Sequence, residues 1–377
     1  MSLGGHHLSY NEALIKALRE KHIAYAVYGH VNGAFAQGLE REAKRTFSRS
    51  QYSVVHGKVK RILFLFQLVR ELRSVRRSSE ARYNIYFLHS TTVDQLVGVL
   101  LWVVLSLNSR RDRCIVLLRY KPLFPTGRTI KLLNWMLRVF RLSCVRFSSD
   151  SLSLARRYEA LLGRSVSVVP IPHSPGPGKM KKGNTLTIGY MGGSRCQKGY
   201  HFLPDIIVGV SRYLPDAKLV IQSQIDEPSG GERNLSLERD AYERICCLEG
   251  IFSFCHIRRT LSQTEYDEVF GSFSLALLPY DPDTYRDQSS GVLSDALSMN
   301  VVPAVTRGTW LAEQLGTMPD ELKLVADFSS ESFMDLILRF ARQPRQFQDG
   351  YSEFSRRWYA RHNGVRLVDE LLQLCVL

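Results

Sequence analysis

The sequence predicts an α/β protein made of two doubly wound halves, each with a parallel sheet flanked by helices. Three observations point that way. Short apolar runs rich in Val, Ile and Leu alternate with segments of helical period along most of the chain, the pattern of repeated βα units. A Pro-, Gly- and Lys-rich stretch from Pro170 to Lys182 interrupts this alternation near the middle. A length of 377 residues suits two domains at about 150 residues each. The expected boundaries are 1–172 for a first domain, 173–183 for a linker, 184–345 for a second domain and 346–377 for closing helices that pack back toward the first.

In chain order, Asn11–Lys21 reads as a helix with Ala13, Leu14, Ala17 and Leu18 on one face, and Ile23–Tyr28 as a strand. Helix Val59–Val75 precedes strand Ile85–Leu88, the buried helix Val93–Leu107 precedes strand Cys114–Leu118, and helix Ile130–Phe140 precedes strand Cys144–Phe147. Helix Ser151–Leu162 and strand Val166–Val169 complete the first half. The second half opens with a strand from Leu186, then a helix from Phe202, strand Lys218–Gln222, a helix from Leu237, strand Ile251–Cys255 and helix Thr264–Phe270. Strands Leu275–Leu278 and Val301–Val305 bracket a short helix, and after Val325 come two helical segments, the last running Tyr359–Leu374. Only Met1-Ser2-Leu3 precedes Gly4-Gly5, so the strand that normally opens such a domain is expected to be absent or replaced by another segment.

Composition narrows the class. Hydrophobic content of 45% and charged content of 23% describe a globular chain. Seven cysteines without C-x-x-C spacing read as free thiols in a reducing compartment, with no zinc framework. The first twenty residues lack the apolar core of a signal peptide, and the longest apolar run, Leu96–Leu107, is too short to span a bilayer. A cytoplasmic location is expected. The net charge of +14 belongs to the first half, where residues 1–172 hold 28 Lys and Arg against 10 Asp and Glu. The excess concentrates between Arg41 and Arg82, around the apolar run Ile62–Phe66. Such a segment suits an anionic membrane surface on the inner face of the cytoplasmic membrane, or else a solvated helix face; nucleic acid is not the expected partner.

Two motifs carry chemistry. Ile188-Gly189-Tyr190-Met191-Gly192-Gly193-Ser194-Arg195-Cys196-Gln197-Lys198-Gly199 is a strand running into a glycine-rich turn with two cations. The glycines, with Gly193 foremost, let backbone approach a ligand, while Arg195 and Lys198 hold a diphosphate from two directions. Its plain alternative is a βα loop with surface cations. The second motif is Asp287-Gln288-Ser289-Ser290-Gly291-Val292-Leu293-Ser294-Asp295. Ser289, Ser290 and Gly291 open a helix whose free N–H groups and hydroxyls suit a phosphate, and Asp295 leans back toward that end to reach a ribose or sugar hydroxyl. Its plain alternative is an ordinary N-cap. Both loops follow parallel strands, so they are expected to face one crevice.

With these residues the chain resembles the retaining glycosyltransferases of the GT-B fold, and more narrowly the "group 1" family that builds bacterial surface polysaccharides and glycolipids. The resemblance implies two Rossmann-like domains facing a central cleft. It implies donor-diphosphate binding by Arg195 and Lys198, ribose binding by Asp295 and a place for Asp287 beside the transferred sugar. Family members usually carry Glu at both of these acidic positions. The resemblance also implies a strand-end residue beside the sugar in the first half, for which Arg119 and His89 are candidates, and a glycine loop near donor phosphate and acceptor at Gly4 and Gly5. No metal and no cofactor are expected: the partners are a nucleotide-sugar donor and a carbohydrate or lipid-linked acceptor. A sugar-nucleotide epimerase of similar fold and a non-catalytic scaffold remain the rival readings.

Overall fold

The computed structural model describes residues 6–30, 43–48, 58–79, 81, 84–89, 91–122, 127–140, 142–173, 185–223 and 232–376. The chain divides into two compact units, one of Leu14–Pro170 with Val365–Leu377 and the other of Met1–Ala13 with Ile171–Gly364. They are termed here the N-terminal and C-terminal units.

In the N-terminal unit, helix α1 (His6–Glu20) enters from the other unit's residues, and β1 (Val27–His30) pairs in parallel with β2 (Ala43–Phe47). Then follow α2 (Lys58–Arg77), β3 (Asn84–Leu88), α3 (Val93–Ser106), β4 (Asp112–Leu117), α4 (Gly127–Val139), β5 (Val145–Ser149), α5 (Leu152–Leu162) and β6 (Val166–Val168). Strands β3-β4-β5-β6 form one parallel sheet in chain order. Sequential right-handed crossovers put α3, α4 and α5 on a single face. Local signals fix the ends: α3 starts at a Thr92–Gln95 capping box, and α5 runs from the Ser151 N-cap to Gly163, which closes it at φ 60°. The core gathers Leu96, Trp102, Val116, Leu133 and Tyr158, all fully buried. Each aliphatic side chain removed from water there contributes about 1.5–3 kcal/mol.

The C-terminal unit begins with β7 (Thr187–Tyr190), two 3-10 turns, α6 (Leu203–Tyr213), β8 (Lys218–Gln222), α7 (Glu232–Leu248), β9 (Cys255–Ile257) and α8 (Gln263–Gly271). It continues with β10 (Leu275–Leu278), α9 (Pro282–Tyr285), α10 (Gly291–Ser298), β11 (Val302–Thr306), α11 (Trp310–Gln314), β12 (Val325–Ala326), α12 (Ser330–Arg342) and α13 (Pro344–Arg361). The strand order is β12-β11-β10-β7-β8-β9, all parallel, so the order reverses between β7 and β10. That is the topological switch point where open α/β sheets bind ligands. Gly189 in β7 is dictated by packing, since a Cβ there would lie 2.0 Å from the Phe273 ring.

Several expectations need correction. The strand placed at Ile251–Cys255 starts only at Cys255, because Ile251 and Phe252 both donate their N–H to Leu248 O and finish the turn of α7. The helix placed at Tyr359–Leu374 is two helices: α13 ends at Arg361, and α14 (Gly364–Val376) begins after a break. At the break His362 stacks on Trp358 (centroids 4.0 Å apart, planes 10° apart), and its Nδ1 accepts from Ile171 N at 3.1 Å. Residues 346–377 therefore do not act together. Helix α13 belongs to the C-terminal unit and α14 to the N-terminal one. There Arg113 and Arg146 donate to the last carbonyls of α14, at Cys375 (3.2 Å) and Leu374 (3.1 Å), where a helix has orphan acceptors and a negative dipole end. The first residues up to Ala13 likewise group with the C-terminal unit rather than with a domain 1–172. Most of the expected linker 173–183 and both Gly4 and Gly5 lie outside the described residues. The seven cysteines are free thiols, and among the described residues no helix is long and apolar enough to cross a membrane.

Candidate functional site

The two loops singled out in the second half meet at the C-terminal ends of β7 and β10. The backbone of the first is shaped by glycine: Gly192 adopts φ 131° and Gly199 φ 68°, conformations that L side chains rarely adopt. At Gly199 there is no room either, because a Cβ would lie 2.2 Å from Pro279 O. This close approach brings the first loop against the end of β10, and Asp281 N donates to Gln197 O at 2.9 Å beside it. The Lys198 ammonium then lies over the Tyr280 ring, 5.7 Å from its centroid. A Cβ on Gly192 would be 3.3 Å from Lys198 Nζ and 4.0 Å from Val292 Cγ2 in the first turn of α10. Bare backbone, an ammonium and a helix start therefore converge on one spot.

Arg195 faces Tyr285; burial pushes that phenol up to about 12 while the guanidinium pulls the other way. Gly193 O accepts from Tyr190 OH at 3.3 Å. Gln222, at the end of β8, was not picked out from the sequence. It accepts from Gly192 N (3.4 Å) and donates to Arg259 O (3.1 Å), bridging the glycine loop to the loop after β9. An open groove runs beside that second loop, lined by Ile257, Arg258, Arg259, Leu261, Glu265 and Val269. The visible signal was a polar residue ending an apolar strand.

In the second loop Ser290 is the N-cap of α10, its hydroxyl accepting from Leu293 N at 3.2 Å. Ser289 and Gly291 are buried beside it. Helix α10 is buried along its whole length, which fixes the direction of its N-terminus. Asp295 is 5% exposed, and both of its oxygens have protein partners: Oδ2 accepts from Tyr266 OH at 3.0 Å, and Oδ1 lies 2.6 Å from His173 Nδ1. His173 lies in the expected linker 173–183, and only the fold brings it to α10. Asp287 is buried, and its charge, after burial itself, helps raise the Glu313 carboxyl of α11. Behind Asp295, burial and then the Asp295 and Glu12 charges push Asp267 up to about 6.

In the N-terminal unit His89 and Arg119, considered for the same role, form one cluster at the ends of β3 and β4. Arg119 Nη1 lies 3.3 Å from His89 Nε2, and Arg119 Nε donates to Asp150 Oδ2 at 2.6 Å with both side chains buried. A guanidinium only donates, so His89 Nε2 accepts and the ring proton sits on Nδ1. Asp150 was missed, although it directly follows β5, the next strand of the sheet.

Among the described residues one group has the geometry to hold a metal ion, Cys246, Glu249 and His256, with ligand atoms within 4.8 Å of one another. Its groups already serve each other. His256 bonds Glu249 at 2.6 Å and Ser223 at 2.7 Å, and Arg258 pairs with Glu249. None of the three is a carboxylate of the α10 loop.

No family model and no curated protein matches this sequence. Solved structures do match its fold. Sucrose-phosphate synthase from Thermosynechococcus elongatus is 12% identical, with 98% of this chain and 92% of that one covered at a TM-score of 0.66. A glycosyltransferase from Rickettsia africae ESF-5 is 10% identical, covering 99% and 94% at 0.68. The E. coli trehalose-6-phosphate structure bound with UDP-2-fluoro glucose is 9% identical, covering 98% and 96% at 0.68. The fold is GT-B. Sequence likeness at this level carries the architecture; the chemistry must come from the residues.

Proposed function

We propose that the chain is a glycosyltransferase that moves a sugar from a nucleotide-diphosphate donor to an acceptor hydroxyl, with retention of configuration, in the synthesis of a bacterial surface polysaccharide or glycolipid. One observation carries the reading: Gly192, Lys198 and the first turn of α10 converge at the switch point of the sheet. As the bond between sugar and phosphate breaks, the diphosphate gains charge. Lys198, Arg195 and the N–H groups at Ser290–Gly291 are arranged to stabilise it there, in a pre-organised site. Asp295, held by Tyr266 and His173, keeps acceptor capacity on each oxygen and so can bind the ribose hydroxyls in addition. Asp287 serves the transferred sugar. In the N-terminal unit, the His89–Arg119–Asp150 cluster is the polar group available to an acceptor. Two similar folds support the class of ligand, one bound with UDP-2-fluoro glucose and one, a Burkholderia xenovorans synthase, in complex with glucose-6-phosphate. An anionic lipid surface is the further partner that the basic first half suits.

The test is a thermal-shift screen with UDP, GDP and dTDP, followed by transfer assays with the corresponding sugars. A nucleoside diphosphate at 100 times its Kd stabilises the folded state by about 2.7 kcal/mol. Sugar transfer to an added acceptor supports the proposal. Isomerised donor without transfer favours the epimerase, and stabilisation without turnover favours the scaffold. Absence of both binding and transfer defeats the donor-site reading.

A further inference from the structure

Helix α4 is seated by Leu133, Met136 and Leu137, which are buried. Its opposite stripe follows helical spacing through Arg128, Lys131, Leu132, Trp135, Arg138 and Val139, all exposed. Leu132, Trp135 and Val139 are 43%, 53% and 54% exposed, and Phe140, at 43%, sits edge-on to Trp135 with ring centroids 5.8 Å apart. Four large apolar side chains in one cluster differ from the scattered singles of an ordinary surface. The charge beside them is of one sign: from Arg113 to Ser149 the sequence contains no Asp or Glu. A second helix of this unit repeats the combination. In α2, which packs on α3 through Leu65 and Leu68 against Gly98, Leu63 and Phe66 are 62% and 64% exposed, near Lys60 and Arg70.

We propose that the outer stripe of α4 docks on an anionic lipid surface, with Leu132, Trp135, Val139 and Phe140 entering the boundary of headgroups and acyl chains. Arg128, Lys131 and Arg138 lay their stems along that boundary and bring their charges to the lipid phosphates. Tryptophan at the centre of the stripe suits this depth, having an apolar body and one N–H donor. Nucleic acid would use the cations but leave Leu132 and Val139 in water. An acidic protein would have to match an apolar cluster with no groove. The proposal names a face that the basic residues 41–82 had not indicated, and it does not depend on sugar transfer.

The test uses the full chain and its own fluorescence. Of the four tryptophans, Trp102, Trp310 and Trp358 are buried at 0%, 2% and 6% exposure, so Trp135 dominates any change in solvent access. Phosphatidylcholine vesicles containing phosphatidylglycerol are expected to shift emission to the blue and protect it from acrylamide, whereas pure phosphatidylcholine does neither. Sedimentation with the anionic vesicles should weaken as salt rises. Trp135→Ala should weaken it at least about tenfold, and Lys131→Glu with Arg138→Glu should abolish it, with thermal stability unchanged because all three side chains face solvent. Several results would overturn the proposal: unchanged emission with anionic vesicles, equal binding to neutral ones, or wild-type affinity in these variants. So would protection of Trp135 that instead needs an oligonucleotide, or that tracks protein concentration without lipid.

Discussion

The strand ends of the two units place their cations differently. In the C-terminal unit, the loop after β7 brings two cations, Arg195 and Lys198, on a segment with no acidic residue between Met191 and Pro204. In the N-terminal unit, Arg119 is buried but neutralised in place by Asp150, and His89 completes the cluster. Two cations beside a glycine turn and a helix start are the arrangement that the proposed dianionic leaving group calls for. A self-neutralised polar cluster suits an uncharged hydroxyl, which it can orient without competing for the donor.

This contrast can be broken at four points. The largest effect is expected from Asp150→Ala, which strands the Arg119 guanidinium in the interior and should cost about 3–5 kcal/mol of stability in urea denaturation. An unchanged midpoint would mean that water reaches the pair. Lys198→Ala should leave the melting temperature nearly unchanged while turnover falls ~100- to 1,000-fold. Full activity would remove Lys198 from the diphosphate site. The third point is pH. Burial, and then the charges of His173 and Arg361, hold His362 down at about 3, so the folded state stays neutral where the unfolded chain protonates. With the folded pKa below the unfolded one, stability is intact above about pH 6.5 and falls on acidification by up to about 1.4 kcal/mol per pH unit. His362→Gln should flatten that slope between pH 6 and 4, as followed by thermal melts. The smallest change is expected from Asp267→Asn. Asp267 is raised to about 6, so its penalty builds as pH rises from about 4, where the unfolded carboxyl ionises, to about 6, and is constant above that. Asparagine should therefore stabilise the protein by about 1 kcal/mol at pH 8, after allowance for solvent screening, and by nothing at pH 4.

Much of the architecture was legible because βα alternation is a local signal. Lys218–Gln222 and Leu275–Leu278 are strands with the bounds their apolar runs suggested. The glycine loop and the α10 loop were legible for the same reason, and their meeting followed from topology. What escaped depends on distance or on competition. His173 reaches Asp295 across more than a hundred residues, and Asp150 is recognisable only once β4 and β5 are neighbours. The break at 362–364 is hidden in the sequence because the helical period of Val365, Val368, Leu371 and Leu372 starts directly after it with no Pro to mark a stop, while the stacking of His362 on Trp358 and its bond to Ile171 set the actual end. Ser290 shows a residue type serving two ends at once: the hydroxyl that suggested a phosphate also caps its own helix.

The contact between Gly199 and Pro279 also bears on how the chain is made. During synthesis the glycine loop emerges well before the strand β10 that it will lean on, and the left-handed turn at Gly199 has no backbone to rest against until Pro279 has left the ribosome. Its final shape belongs to a late step, after a non-local pairing of the kind that slows folding. A nascent chain stopped after β8 would thus hold every residue of the glycine loop without the loop itself.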